Sequence, residues 1–551
     1  MSVITLYQIY FSKTYSKSIK SIIFFVSIAQ MHTTFDELVA KPTAMPTLAE
    51  SKWLSRFLDE TPGDSQIGGN SRQVPNACWS RVVPFCPPNP VLELWSNDLG
   101  DTLNLEKGDG LILGGGKVVG GMDSYAQRYG GHQFGNWAGQ LGDGRAITLG
   151  ELDVNDSVFE LQLKGSGKTP YSRFADGKAV LRSSIREFLC SEAMHFLGIP
   201  TTRALSLVTT GEKIVRDVMY DGNPAPEPGA VVCRVSPSFI RFGSFQIHSS
   251  TGDYSTLQTL VEHTVSNHFP QHSIGDDKGR ISWLNTVAKH TAIMISHWMR
   301  VGFVHGVMNT DNMSIHGLTI DYGPYGWIED YNPNWTPNTT DASTRRYRFG
   351  QQPQIGAWNL ARLLESIVPL MNNPETLHEV LDTYADTFDH YHNKMWSEKL
   401  GLDEFKEGDE ELVRELNTLM QMCECDMTLF FRMLCSIDSP DIDALNDAFY
   451  NLDSIPTDKW NSWLGKWFQR TGDEPNRSLM RAANPKYVLR NWMAQLAIDA
   501  AEKGDFSVCE ELQGLLSRPY DEQPEFEEKW FQKRPEWART KIGCSMLSCS
   551  S

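Results

Sequence analysis

The spacing of apolar residues predicts a strand and a helix that together place two opposite charges. Residues Val158–Lys164, VFELQLK, alternate apolar and polar side chains, which predicts a strand with Lys164 on its polar face. Residues Lys178–Gly198 repeat apolar positions every three or four residues, which predicts an amphipathic helix carrying Glu187. A strand lysine paired with a helix glutamate can hold an ammonium against ATP phosphates. For each residue alone, a solvated surface charge is the alternative.

The rest of the pattern predicts an α+β chain. Residues Thr201–Arg241 are typical of strands, and Ile281–Val301 is typical of a helix. Beyond Trp358 the apolar spacing is almost entirely helical. The segment Leu54–Leu113 is Pro-rich and irregular, and we expect it to wrap another lobe. A polar run over residues 324–355, rich in Pro and Asn, predicts a long loop.

The stretch His305–Gly323 concentrates oxygen-bearing side chains. Asp311 and Asn312 lie in a polar turn, and the next eight residues predict two short strands that fold back at Gly317. Such a hairpin would bring Asn312 and Asp321 together as hard oxygen ligands, which suit magnesium with nucleotide phosphates. It would leave Asp311 free to contact a hydroxyl. The alternative is an ordinary turn with acidic N-cap residues.

Glycine is unusually dense from Gly114 to Gly150. Glycine lets backbone amides approach phosphate closely, and the turn formed by Gly142, Asp143 and Gly144 is followed by the guanidinium of Arg145. The patterns GxGxxG and GxxxxGK[ST] are absent, which disfavours dinucleotide-binding and P-loop folds.

Two more pairs of residues are candidates for nucleotide contact. Asp176 and Gly177 lie in the loop GSGKTPYSRFADGKA and are available to a nucleotide. Arg234 and Arg241 lie on either side of Pro237, so a turn there would direct both guanidinium groups toward one phosphate. Two exposed arginines flanking a turn are the alternative.

Composition narrows the classes of partner. The 551-residue chain carries a formal net charge of -18, which argues against nucleic acid and against anionic membranes as main partners. Its ten cysteines are scattered without a CxxC pair, and we expect mostly reduced, buried thiols. Cys549, in the tail CSMLSCSS, is exposed by position and is a candidate redox-active thiol.

The first thirty residues resemble a mitochondrial presequence, because they contain three lysines, no acid and many Ser and Tyr residues. A secretory signal is an alternative, since an apolar run from Ile22 to Ala29 follows a basic stretch. A translation start at Met31 is another alternative, which would leave a cytoplasmic protein. No segment approaches transmembrane length, so we expect no stable membrane insertion.

Long motifs resemble one family over most of the chain, from about Trp79 to Ala501. They are GGHQFGNWAGQLGDGRAI, ELQLKGSGKTPYSR, HGVMNTDNMSIHGLTIDYGP and NPKYVLRN. These motifs resemble the selenoprotein O family, also called YdiU-like. The resemblance implies a protein-kinase-like bilobal fold with a largely helical C-terminal portion. It also implies a protein adenylyltransferase that moves AMP from Mg-ATP to Ser, Thr or Tyr hydroxyls of proteins and releases pyrophosphate, with Mn²⁺ as a possible substitute for Mg²⁺.

The resemblance also implies residue roles. Asp311 matches the proton acceptor, and Asn312 and Asp321 match the metal ligands. In this family ATP binds in reverse relative to a kinase, with its γ-phosphate buried. The positions that match nucleotide contacts are Gly142, Gly144, Arg145, Lys164, Asp176, Gly177, Glu187, Arg234, Arg241 and Asp321.

Two departures from the family concern cysteine. Many bacterial members carry a cysteine after the metal-binding aspartate that can pair with one near the C-terminus, but NPNWTPNTTD contains none. A disulfide switch of that form is therefore not expected. Animal members have selenocysteine third from the end, where this chain has Cys549.

The activity has two alternatives, a kinase-type phosphotransferase and a catalytically inactive pseudokinase scaffold. The domain organisation that we predict is a targeting extension at 1–30, an irregular wrapping segment at 31–113, a nucleotide-binding region at 114–270, a mainly helical lobe with the catalytic loop at 271–535, and a flexible tail at 536–551.

Overall fold

A computed structural model of the protein describes residues 45–217, 222–472, 474–544 and 546–548. Within these ranges, nine strands form one sheet of path β2-β4-β7-β8-β11-β10-β3, with β1 paired to β7 and β9 to β11. All of these pairings are antiparallel. The strands are β1 (Trp53–Leu54), β2 (Trp79–Arg81), β3 (Val91–Trp95), β4 (Tyr125–Gln127), β5 (Gly130–Gln133), β6 (Asn136–Gln140), β7 (Ala146–Val154), β8 (Ser157–Lys164), β9 (Ala179–Val180), β10 (Arg203–Arg216), β11 (Ala225–Ser236), β12 (Phe303–Val304) and β13 (Gly326–Trp327).

Helices make up most of the chain beyond the sheet. They are α1 (Arg56–Glu60), α2 (Asn97–Thr102), α3 (Gly110–Leu113), α4 (Leu181–Phe196), α5 (Phe242–Ser250), α6 (Tyr254–His268), α7 (Asp277–Val301), α8 (Gln352–Ile367), α9 (His378–Leu400), α10 (Asp409–Met422), α11 (Met427–Leu434), α12 (Thr457–Thr471), α13 (Arg477–Ala483), α14 (Asn491–Ala501), α15 (Ser507–Leu516) and α16 (Pro524–Trp530). The antiparallel sheet and the many helices confirm the α+β prediction.

The strand β8 presents a buried polar face to the site. Gln162 is opposite Arg234 of β11, and Lys164 lies two residues further along the same face. The other face carries Leu161 and Leu163, which are buried in an apolar cluster with Leu149 of β7. The polar side chains that the alternation placed on one face are therefore enclosed by protein, and Gln162 is fully buried.

The helix α4 packs against β10 and β11 and carries Glu187 to the sheet. It begins at Leu181, three residues later than the pattern predicted. The reason is that Ala179 and Val180 pair as a strand with Ala230 and Gly229 of β11. The irregular segment before residue 114 contributes β2 and β3, which lie at opposite ends of the sheet path.

The predicted hairpin after Asn312 is wrong. Ser314 forms an isolated bridge with Arg241, and Thr319 forms one with Thr201, so these residues pair with other parts of the chain. The turn at Gly317 is present, with φ at +67° and its N–H donating to the Ser314 carbonyl. The backbone partners of Ser314 and Thr319 therefore lie far away in sequence.

Two boundaries later in the chain also differ from the pattern. The predicted loop over 324–355 contains β13, which pairs with β12, and its last residues already belong to α8. The tail predicted as flexible over 536–551 is packed where it is described, because Leu547 is fully buried and hydrogen-bonds with Pro337 and Thr339. Apolar burial and backbone pairing with a distant loop order this part of the tail.

Other expectations concern residues at the chain ends and the cysteines. The proposed targeting extension and Cys549 lie outside the described residues. The nine described cysteines are all free, and all except Cys86 are buried. Among the described residues, we find no helix with the length and apolarity that crossing a membrane requires.

A buried ion pair ties the segment before α14 to α11. The Asp426 carboxylate caps α11 at Leu429 N and receives both Nη1 and Nη2 of Arg490, at 2.6 and 2.8 Å. We expect Asp426→Ala to lower the free energy of unfolding by about 3 kcal/mol, because it leaves the buried Arg490 with only the more distant carboxylate of Glu329, 3.8 Å away. Urea denaturation measures this loss.

The matched control is Asp438→Ala. Asp438 pairs with Arg477, but its side chain is 89% exposed. We expect a change below about 1 kcal/mol there, as for other surface ion pairs. Equal losses in the two variants would contradict the importance assigned to the buried pair.

Candidate active site

The lysine and the glutamate predicted from the strand and helix patterns meet at the sheet. Nζ of Lys164 lies 2.7 Å from Oε2 of Glu187; the Glu187 side chain is buried and that of Lys164 is 11% exposed. Burial lowers the pKa of Lys164, while Glu187 and Asp321 oppose that shift. The surface-charge alternative is therefore wrong for both residues, and the ammonium is held in a fixed position.

The two arginines flanking Pro237 are also buried, with Arg234 2% and Arg241 1% exposed. Arg234 comes from β11, and Arg241 immediately precedes α5. Nη1 of Arg234 donates to Oδ1 of Asp321, and Nη1 of Arg241 donates to Oδ2 of the same carboxylate. The two guanidinium groups, which we predicted to point toward one phosphate, converge in the structure on a carboxylate of the protein itself.

Asp321 stands at the centre of this charge cluster. Its Oδ1 is also 3.8 Å from Nζ of Lys164. Burial alone would raise the pKa of Asp321, but Arg241, Arg234 and Lys164 together hold it well below its usual range. The residue has φ at +61°, a left-handed conformation that is uncommon outside glycine and recurs at functional sites. Asp321 is therefore ionised and held by three cations.

Asp311 lies in the 3₁₀ turn Thr310–Asn312, and its two carboxyl oxygens differ in their hydrogen bonding. Its Oδ2 accepts from Nε2 of Gln133 at 3.2 Å, whereas its buried Oδ1 has no hydrogen-bond partner among the described residues. Burial raises the pKa of Asp311 to about 6. A buried acceptor without a donor is costly, and Asp311 lines the cavity, so its carboxylate is a candidate to receive a hydroxyl proton.

The oxygens suited to a metal ion come from Asn312 and Asp321. Both residues line the same cavity, and Nδ2 of Asn312 donates to the Val307 carbonyl, which leaves its amide oxygen as the acceptor. No group of three or more His, Cys, Asp or Glu side chains in the described part of the chain is arranged to hold a metal. The donor set fits Mg²⁺, which commonly binds through one or two protein oxygens together with substrate phosphates.

The glycine turn borders the cavity through Gly142, Gly144 and Arg145. Gly142 has φ at +88°, and a Cβ there would lie 2.4 Å from Cγ of Tyr171. Asp143, between the two glycines, is buried with Oδ1 3.6 Å from Nη2 of Arg241. Burial raises the pKa of Asp143.

Asp176 lines the cavity but has a partner of its own. Arg216 donates to Oδ2 and Oδ1 of Asp176 through Nη1 and Nη2, each at 2.8 Å. Gly177 has φ at +72° and packs against Gly167, where a Cβ would lie 2.1 Å from the carbonyl oxygen. Asp176 is therefore part of the cavity wall and is held in place by Arg216.

The whole site is a cavity of about 770 Å³ between the sheet and the Asp311 turn. Except for Glu187 and Gly177, every residue predicted for the site lines it, and Glu187 lies directly behind Lys164. The order of strand lysine, helix glutamate, loop aspartate and asparagine, and final aspartate is consistent with a kinase-like fold.

Sequence reasoning missed Gln133 and Tyr129. Gln133 holds Oδ2 of Asp311, and the ring of Tyr129 lies 4.4 Å below the Arg241 guanidinium. Both belong to the glycine-dense stretch, but their partners lie more than a hundred residues away in sequence. No local spacing could have identified these contacts.

Comparisons with known proteins agree on one family. A family model described as Protein adenylyltransferase SelO matches residues 70–517. A protein from Aromatoleum aromaticum named Protein nucleotidyltransferase YdiU is 53% identical over 517 residues, covering 90% of this chain and 99% of that protein. Proteins of the same name from Flavobacterium johnsoniae and Xanthomonas campestris pv. campestris are 50% and 52% identical over 516 residues, again covering 90% of this chain and 99% of each relative.

Because the pKa of Asp311 is raised, ionising this carboxyl lowers the free energy of unfolding by an amount that depends on pH. Below the ordinary value of 3.8, both folded and unfolded states are protonated and no cost arises. Between pH 3.8 and about 6 the unfolded state ionises before the folded state, so the loss of unfolding free energy grows with pH. Above about pH 6 both states are ionised and the loss is constant. We expect Asp311→Asn to be more stable than the parent protein by roughly 3 kcal/mol at pH 8, and by roughly half of that at pH 5.

Urea denaturation of both proteins across this pH range tests the prediction. Asp438→Asn is the control, because the Asp438 side chain is 89% exposed. A stability gap for Asp311→Asn that does not change with pH would show that Asp311 is not the titrating group.

Proposed function

The chain belongs to the SelO family of protein adenylyltransferases and is a nucleotidyltransferase, and we propose that it transfers AMP from Mg-ATP to Ser, Thr or Tyr hydroxyls of proteins. The acceptor oxygen bonds to the α-phosphorus while the bond from that phosphorus to the bridging oxygen breaks. Pyrophosphate leaves, and the hydroxyl proton passes to Oδ1 of Asp311. The products are the AMP-bearing protein and pyrophosphate.

The observation that carries this proposal is the pairing of a free base with buried cations in one cavity. Oδ1 of Asp311 has no hydrogen-bond partner among the described residues, and Lys164, Arg234 and Arg241 line the same space. A base with a pKa of about 6 is deprotonated at neutral pH and is still able to take a proton as the acceptor oxygen attacks.

The buried cations favour ATP entering with its γ-phosphate first. A phosphate end enclosed by protein needs paired positive charge, and guanidinium groups suit phosphate through bidentate hydrogen bonds. Arg234 and Arg241 are almost fully buried. With the γ-phosphate held there, the α-phosphate faces the open side, where a protein hydroxyl can reach it.

Nucleotide binding requires an exchange of partners around Asp321. In the structure, Arg234 and Arg241 both donate to the Asp321 carboxylate. A triphosphate competes for those guanidinium groups, which releases the carboxylate oxygens. Asn312 and Asp321 are then the residues that would hold Mg²⁺, and the ion when bound neutralises phosphate charge.

A kinase-type transfer of the γ-phosphate is the second candidate, because it uses the same lysine, glutamate and metal ligands. The burial of Arg234 and Arg241 favours AMP transfer over it, since a kinase leaves the γ-phosphate accessible. An inactive scaffold is less well supported, because a scaffold does not require Asp311, Asn312 and Asp321 to line one cavity.

Transfer of ³²P from labelled ATP to protein distinguishes these activities. With Mg²⁺ and a cell extract as acceptor, we expect protein to be labelled by ATP carrying ³²P at the α-phosphate and not at the γ-phosphate. Asp321→Ala should reduce this labelling by about a hundredfold or more, because it removes a metal ligand worth several kcal/mol. Label from the γ-phosphate alone would establish a kinase, and label from neither would favour the scaffold.

Residue 131 is a glycine, and the absence of a side chain there makes room for the Asp311 carboxyl. A Cβ on Gly131 would lie 2.4 Å from Oδ1 of Asp311. We expect Gly131→Ala to displace this carboxyl and to lower AMP transfer by about tenfold to a hundredfold. Binding of ATP, measured by calorimetry, should be nearly unchanged.

Gly120→Ala is the matched control for this substitution. A Cβ on Gly120 meets nothing within 4 Å. We expect normal transfer from that variant. Normal transfer from Gly131→Ala would contradict the role of Oδ1 as proton acceptor.

A further inference from the structure

A second cavity adjoins the active site and carries positive charge. It measures about 630 Å³ and is lined by Phe134, Asn136, Thr340, Thr344, Arg346, Arg348, Gln351 and Ile355. Phe134 also lines the active-site cavity, so one aromatic side chain separates the two spaces. The residues beyond this wall belong mainly to the loop that follows Asp321.

Phe134, which forms the wall between the two cavities, lies in a strained turn. Phe134 and Gly135 form the two-residue turn between β5 and β6, with φ at +50° and +86°. A left-handed phenylalanine is costly, and such turns favour Asn-Gly. The Phe134 amide donates to Oδ1 of Asn309 and to the hydroxyl of Tyr347, which hold the turn in place.

Arg346 has no counter-ion in this cavity. Its guanidinium lies 4.5 Å from the ring centroid of Trp358, and Nε and Nη2 are buried without a hydrogen-bond partner among the described residues. Arg348 donates to the Arg345 carbonyl and to Gln351. No carboxylate within the described ranges forms an ion pair with either arginine, although the chain has 18 more acidic than basic residues.

The acid closest in sequence is already satisfied. Asp341 is fully buried, and its carboxylate receives the hydroxyl of Thr344 and the backbone N–H groups of Arg346 and Tyr347. It shapes the loop and does not neutralise the guanidinium groups. A half-buried cation beside an open cavity is stabilised by an anion from outside the chain.

We propose that this cavity is a docking subsite for an acidic side chain, Asp or Glu, that lies within a few residues of the acceptor hydroxyl in the protein substrate. The inference rests on the proposed AMP transfer to protein hydroxyls. An extended chain advances about 3.3 to 3.6 Å per residue, so a neighbouring substrate residue can cross the Phe134 wall while the hydroxyl is at Asp311. Arg346 and Arg348 supply the positive charge that pairs with the substrate carboxylate.

Binding of short peptides tests the subsite without requiring catalysis. The probes are fluorescein-labelled decapeptides with one Ser, in which either Glu or Gln stands at one of the three positions on each side. We expect at least one Glu peptide to bind the nucleotide-loaded protein roughly tenfold more tightly than its Gln counterpart, as one charged hydrogen-bonded pair provides. Arg346→Gln should abolish this difference, whereas the exposed Arg518→Gln should keep it.

Mapping of modified sites separates this inference from the proposed function. Mass spectrometry of an extract treated with Mg-ATP should find AMP on hydroxyls with Asp or Glu enriched within three residues, and Arg346→Gln should remove the enrichment. AMP-bearing sites without enrichment, or equal binding of Glu and Gln peptides, would overturn the subsite. Absence of any AMP-bearing site would overturn the proposed function instead.

Discussion

The active site depends on three buried cations that need negative charge whether or not a nucleotide is bound. Lys164, Arg234 and Arg241 converge from β8, β11 and the start of α5, and Asp321 and Glu187 neutralise them. Burying these charges without partners would cost many kcal/mol, so the protein supplies its own anions. Asp321 therefore holds the three cations together, and in the proposed mechanism it is also a metal ligand once phosphate takes its place beside the arginines.

Strands and a helix around the site hold these charged side chains in position. The register of β8 against β11 sets Gln162 opposite Arg234, and α4 brings Glu187 to both Lys164 and Arg234. On the far side of the sheet, the alternate residues of β8 form an apolar cluster that fixes the strand. The side chains that bear function are thus positioned by regular elements, while Asp311 and Asp321 lie at turns where the backbone is less regular.

The sequence predicted the elements better than their partners. Alternation in VFELQLK identified β8, and its polar face identified Lys164, because strand period depends only on neighbouring residues. The hairpin after Asn312 failed because Ser314 and Thr319 pair with Arg241 and Thr201, which no local pattern reveals. Most of the predicted site residues line one cavity, whereas Gln133 was missed although it lies in a long motif, since its contact with Asp311 exists only after the chain folds.

The packed tail joins the C-terminus to the loop after Asp321. Leu547 donates its N–H to the Pro337 carbonyl and accepts from Thr339 N–H, a few residues before Asp341 and Arg346. Leu547 thus holds the loop that borders both cavities through two backbone hydrogen bonds. An affinity tag or fusion partner joined close behind Leu547 would therefore crowd the loop that borders both cavities.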